Sequence, residues 1–217
     1  MPSVAAGVFW QKFTFVAKAN LIIAAVASGV LVAVSVLLAE PGSTYRWSFV
    51  LLVPLVWAVY FVRERLALVP AHFMAFAIAI FIHDLGTLGF YKKTFFGLRF
   101  DSYVHFMFGF VAGLILFRAG SVRLPLSRRF LAIAVPIFIL GIGGIHEMFE
   151  CFTTILLGPE RGMLKLHPDQ PFDTQKDLMN NYLGAIIAVV TSIIHRRRSV
   201  SAVEPAPAEG DRFATAR

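Results

Sequence analysis

Charge is what this chain has least of. Asp, Glu, Lys and Arg make up 15% of its 217 residues and apolar types 58%, whereas a soluble domain carries about 25% and about 45–50%. So little polar surface cannot cover a water-soluble core, which excludes a soluble globular protein. Cysteine is nearly absent: Cys151 stands alone, so no intrachain disulfide forms, and the residue is expected as a small buried hydrophobe. No internal repeat is visible, which fits poorly with the repeat-built layouts of secondary transporters. Neither H-E-x-x-H nor a His pair four residues apart occurs, so the helix-borne zinc motif of metalloproteases is missing. A net charge of +7 raises nucleic acid as a partner. The cations, however, fall in short clusters between apolar runs, as in the loops of membrane proteins, and no nucleic-acid partner is expected.

What is present is a series of long apolar runs. About 20 apolar residues cross the roughly 30 Å hydrocarbon layer as a helix. Candidate spans cover residues 19–39, 48–62, 66–86, 102–118, 130–157 and 177–195. The fold class expected is all-α, a polytopic membrane bundle of about six transmembrane helices. Residues 1–18 are expected as a cytoplasmic N-terminal segment, 19–195 as the membrane domain, and 196–217, rich in Pro, Ala and charge, as a disordered basic tail. The first run is too long for the apolar part of a signal peptide and reads as an anchor. With the N-terminus in the cytoplasm, the inner flanks hold Lys12, Lys18, Arg63, Arg65, Arg118, Arg123, Arg128, Arg129 and Arg196 to Arg198. The outer loops hold only Arg46, Lys92, Lys93, Arg99, Arg161, Lys165 and Lys176. The bias towards positive-inside predicts both termini in the cytoplasm.

Against this background the polar residues are one-sided. Asp84 closes the third run, Asp101 and His105 open the fourth, and His146, Glu147 and Glu150 lie in the outer half of the fifth. Asp173 and Asp177 open the sixth, with Asn181 following. Asp101–His105, His146–Glu150 and Asp177–Asn181 are each four apart and so share a helix face. A charge at mid-membrane costs about 2.5–3.5 kcal/mol on insertion scales and marks a functional site by default. Helix caps account for part of the set, Thr174 with Asp177 and Asp101 with Ser102, but not for His105, His146 and Glu150. The expectation is one shared polar site on the outer-leaflet side. Gly109 and Gly113 read as close helix packing, and "GIGG" at 141–144 as close approach or a bend.

The stretches "HDLGTLGFY", "FDSYVHFMFGFVAG", "HEMFE" and "DTQKDLMNNYLGA" together resemble the YjdF-type bacterial inner-membrane proteins, over about residues 65–190. Asp173 to Ala185 is also similar to the last helix of VanZ-like membrane proteins. The first resemblance implies a compact helical inner-membrane protein, assigns it no reaction, and groups Asp84, Asp101, His105, Glu147, Glu150, Asp173, Asp177 and Asn181 into one constellation.

Three readings of that constellation follow. Mixed His and carboxylate groups suit Zn²⁺, Mn²⁺ or Fe²⁺, and such an ion would make a hydrolase of lipid or cell-envelope precursors conceivable. Intramembrane acids and histidines also mark proton- or ion-coupled transporters. Third, the network joins helices, and the protein works by binding a lipid or another membrane protein.

Overall fold

A computed structural model describes residues 4–39, 44–124, 126–158 and 172–201. The described residues form six α-helices: α1 (Val4–Ala33), α2 (Phe49–Val62), α3 (Pro70–Asp84), α4 (Phe100–Arg123), α5 (Arg128–Leu157) and α6 (Asp173–Ser201). An all-α membrane bundle is what the apolar runs predicted. Four segments, Phe15–Leu38, Phe100–Arg123, Arg128–Leu157 and Asp173–His195, are long and apolar enough to cross a bilayer. α2 and α3 have 14 and 15 residues, roughly 21–23 Å at 1.5 Å rise per residue, and fall short of that length.

Helix ends follow local chemistry. α1 continues into a π-helical turn, Val34–Leu38. α3 starts with Pro70 in its first turn, where a missing N–H costs nothing. α5 is capped by Ser127, whose hydroxyl accepts from the Phe130 N–H at 3.2 Å. Ser127→Ala is expected to lose about 0.5–2 kcal/mol, read as a lower thermal midpoint in detergent. α6 runs to Ser201, past the expected boundary at 196. Arg196 to Arg198 are good helix formers, and cations suit a helix C-terminus. Residues 202–217, the rest of the expected tail, lie outside the described residues, as does His167.

Two apolar cores share α4. One joins Ala24 and Leu31 of α1, Leu52 and Val56 of α2, Phe73 of α3, and Val111 and Ile115 of α4. The other joins Phe117 of α4, Leu131, Val135 and Ile139 of α5, and Ala185 and Val189 of α6. α4 and α6 have the most extensive contact. It is close because Gly109 faces the backbone of Asn181, Gly113 faces Ala185 and Ala188, and Gly184 faces the backbone of Phe106 and Phe110. Small residues let helix backbones approach where lipid offers no hydrophobic drive, so Gly109 and Gly113 serve the packing role their spacing suggested. At the opposite end of α4 from Asp101, Arg118 donates to the Ala67 carbonyl and Arg123 to that of Glu64, tying the α2–α3 connection to α4. Cys151, expected as buried, is exposed on α5.

Candidate functional site

α4 and α6 cross near the end of the bundle where both helices begin, and α5 passes the same place near its C-terminal half. Asp101 and His105 are one turn apart on α4. Glu147 comes from α5, Asp177 and Asn181 from α6. These turns converge because Gly109 and Gly184 bring α4 and α6 together, and Gly143 leaves space for the Asn181 amide, which a Cβ there would meet at 2.6 Å. Of the glycines in "GIGG", Gly143 provides this approach, while Gly141 and Gly144 have nothing within 4 Å of an added Cβ.

His105 is the centre. Its Nε2 lies 3.6 Å from Asp101 Oδ1, 3.8 Å from Asp177 Oδ2 and 3.9 Å from Glu147 Oε1. These separations exceed a normal hydrogen bond, so three carboxylates surround one imidazole nitrogen without closing on it. One ligating atom from each of Asp101, His105 and Asp177 fits within a 4.8 Å span. Glu147 is a fourth group, approaching from the His105 side. His105, Glu147, Asp177 and Asn181 are all buried. Glu147 Oε1 and Asn181 Oδ1 have no hydrogen-bond partner among the described residues. The other His105 nitrogen, Nδ1, is 3.2 Å from the Asn181 amide nitrogen. Amide O and N exchange by rotation, and that choice fixes the imidazole tautomer. With the amide oxygen towards Nδ1–H, Nε2 presents a lone pair to the carboxylates.

His146 and Glu150 form a second pair on α5, 3.3 Å apart, with side chains 40% and 21% exposed. The His146 ring is 5.8 Å from that of His105, so this pair borders the buried cluster on its more open side. Asp173 pairs with Arg99 at 3.6 Å and forms the rim. The expected cap at Asp101 takes another role. α4 is preceded by Arg99 at the cap position with no side-chain cap bond, and Asp101 instead turns to His105.

Asp84 departs from the expected constellation. It accepts from Ser48 at 2.5 Å and from Ser35 at 3.3 Å, joining the π-helical turn after α1 and the start of α2 to the end of α3. Successive helix residues point about 100° apart, so Asp84 and its neighbour His83 are directed to different surroundings. His83 lies close enough to feel the charges of His146 and Glu150 and shares a 2.7 Å hydrogen bond with Tyr91. Ser35, Ser48 and Tyr91 carried no sequence signal, being ordinary polar residues at span ends. His83 stands with Asp84 among the one-sided ionisable groups at the outer end of the third run, but outside the constellation that the resemblance groups.

Comparison with known proteins gives one match. No curated protein and no solved structure matches the chain. A family described as "Predicted membrane protein (DUF2238)" matches residues 19–198, which takes in α2 to α5 whole, α1 from residue 19, α6 up to residue 198, and every residue of the cluster. The chain belongs to this membrane-protein family.

Proposed function

We propose that this is an inner-membrane protein that holds a divalent transition-metal ion at the meeting point of α4, α5 and α6, with Asp101, His105 and Asp177 as ligands and Glu147 beside them. The observation that carries the reading is the spacing around His105 Nε2: three carboxylate oxygens at 3.6–3.9 Å. Ligand atoms that each sit about 2.0–2.2 Å from one ion are about 3.0–3.6 Å from one another, so a small inward movement brings these groups to coordination distance. Three ionised carboxylates beside one imidazole, two of them buried, would carry an uncompensated negative charge, which is costly in a poor dielectric. A divalent ion offsets it. A His-and-carboxylate set suits Zn²⁺, Mn²⁺ or Fe²⁺. Asn181 orients His105 from behind, as outer partners of metal-bound histidines do. The arginine-rich ends of the helices point to the cytoplasm in this reading, with both termini there and the cluster towards the outer leaflet. The resemblance of the quoted motifs to YjdF-type proteins supports treating Asp101, His105, Glu147 and Asp177 as one unit.

A hydrolytic use of the ion, on a lipid or envelope precursor, has one specific observation in its favour. The His146–Glu150 pair lies beside the cluster on its exposed side, where a substrate headgroup would arrive. A transport path finds less support: beyond the cluster, Gly113 packs α4 directly against Ala185 and Ala188, which closes the space between the helices.

The test is metal content by mass spectrometry of protein purified in detergent and offered Zn²⁺, Mn²⁺ and Fe²⁺. Near one ion per chain is expected, falling well below that in Asp101→Asn and Asp177→Asn while both variants stay folded. A folded wild type that binds none of the three metals would leave a hydrogen-bonded polar network and end the metal reading.

A further inference from the structure

Between α3 and α4 the chain makes a β-hairpin, β1 (Thr94–Phe95) and β2 (Leu98–Arg99), with Thr94 opposite Arg99 and Phe95 opposite Leu98. Its two-residue turn is Phe96-Gly97, with φ of +50° and +79°. Both central residues are left-handed, the geometry of a type I′ turn, which favours Asn-Gly or Gly-Gly. Gly97 fits. Phe96 does not: its Cβ strains the backbone in this region, and its side chain is 101% exposed. A bulky aromatic here adds strain and, being fully exposed, has no packing among the described residues that would compensate.

The depth of the hairpin is fixed. The Tyr103 hydroxyl, in the first turn of α4, donates to the Phe95 carbonyl at 2.8 Å. Phe90, Phe95 and Phe100 pack ring against ring, with centroids 5.3–6.2 Å apart. The hairpin is therefore folded back beside the first turn of a 24-residue span, at the level where that span leaves the hydrocarbon. Phe95 and Leu98 are also exposed, and the Lys93 ammonium sits over the Phe90 ring at 4.4 Å. Aromatic rings with cations beside them are the composition of a membrane–water boundary.

We infer that the hairpin is an interfacial anchor: Phe96 inserts into the headgroup–acyl boundary of the leaflet at the cluster end of the bundle. Burial in lipid supplies what the strained turn lacks within the protein. Arg99, at the base of the hairpin, reaches Asp173 at the rim of the cluster, so the anchored hairpin also holds that rim in register with the membrane surface. The inference needs the membrane fold and does not depend on a metal.

The experiment places one environment-sensitive dye at residue 96, as Phe96→Cys labelled with NBD in a Cys151→Ser background, in phosphatidylcholine nanodiscs whose two faces are both open to solvent. Strong quenching by lipids spin-labelled near the headgroup, with little quenching by aqueous iodide, is expected. Quenching by iodide, or protection from both agents as in a contact with a second copy or another protein, overturns the inference. A second measurement tests the strain: Phe96→Asn, which suits the turn, should raise the thermal midpoint in detergent, where no ordered leaflet rewards the phenyl ring. A lowered midpoint would show that Phe96 stabilises the chain from within, contrary to the inference.

Discussion

Gly109→Ala is expected to destroy the folded bundle. The added methyl would sit inside the backbone of Asn181, 2.7 Å from its carbonyl carbon and 2.8 Å from its Cα, with the carbonyl oxygen closer still. No rotamer change relieves a clash with backbone, so α4 and α6 must separate. Overpacking of a fitted core typically costs about 1–3 kcal/mol, and more where nothing can yield. Here Gly184 makes the reciprocal approach, its position lying against the backbone of Phe106 and Phe110, and the loss falls on the most extensive helix contact among the described residues. The expected readout is aggregation or a broad elution profile in mild detergent. Gly141→Ala and Gly144→Ala meet open space and should elute as wild type. A monodisperse Gly109→Ala protein with unchanged thermal midpoint would show that α4 and α6 do not cross this closely.

Asn181→Leu should weaken both the metal-free fold and metal binding, and Asn181→Asp should tell the two apart. The side chain is 1% exposed and its amide is the partner of His105 Nδ1, so an apolar replacement strands a buried imidazole nitrogen and should cost the metal-free protein about 1–3 kcal/mol. Removing the group that orients His105 should weaken metal binding about 10–100-fold. Asn181→Asp keeps an acceptor facing His105 Nδ1–H and should retain most of the affinity. Titration with a competing chelator, beside thermal melts of the metal-free forms, reads both quantities. Unchanged affinity in Asn181→Leu would mean that His105 does not ligate through Nε2.

The bundle was legible because its signal is summed over long runs. Residues 130–157 predicted α5 almost to its ends, since apolarity over nearly thirty positions leaves little choice. The short elements were legible in position: "SFVLLVPLVWAVYFV" placed α2 to its last residue, Val62, just before Arg63-Glu64-Arg65, although its 14 residues fall short of the length of a span. For the cluster, the four-residue steps Asp101–His105 and Asp177–Asn181 told which residues share a face. They could not tell which faces meet, because rotation about a helix axis is set by packing. Asp84 shows the limit. It was grouped with the other acids by its place in the sequence, whereas the hydroxyls of Ser35 and Ser48, 49 and 36 positions away along the chain, determine where its carboxylate lies. Gly109 and Gly113 were read correctly as a packing pair, but nothing in the sequence named Asn181 and Ala185 as what they pack against.

The shortness of α2 and α3 has an effect on the surrounding lipid. α4, α5 and α6 match or exceed the thickness of the hydrocarbon layer, while α2 and α3, roughly 21–23 Å long, would fall short of it where they lie in the bilayer. Lipid touching the α2–α3 side must thin to meet them, at a fraction of a kcal/mol per ångström of mismatch, whereas lipid on the opposite side need not. The perimeter of the protein is thus graded in height. Short or unsaturated acyl chains should collect along one flank, and the protein should partition towards thinner regions of a membrane that offers a range of thicknesses.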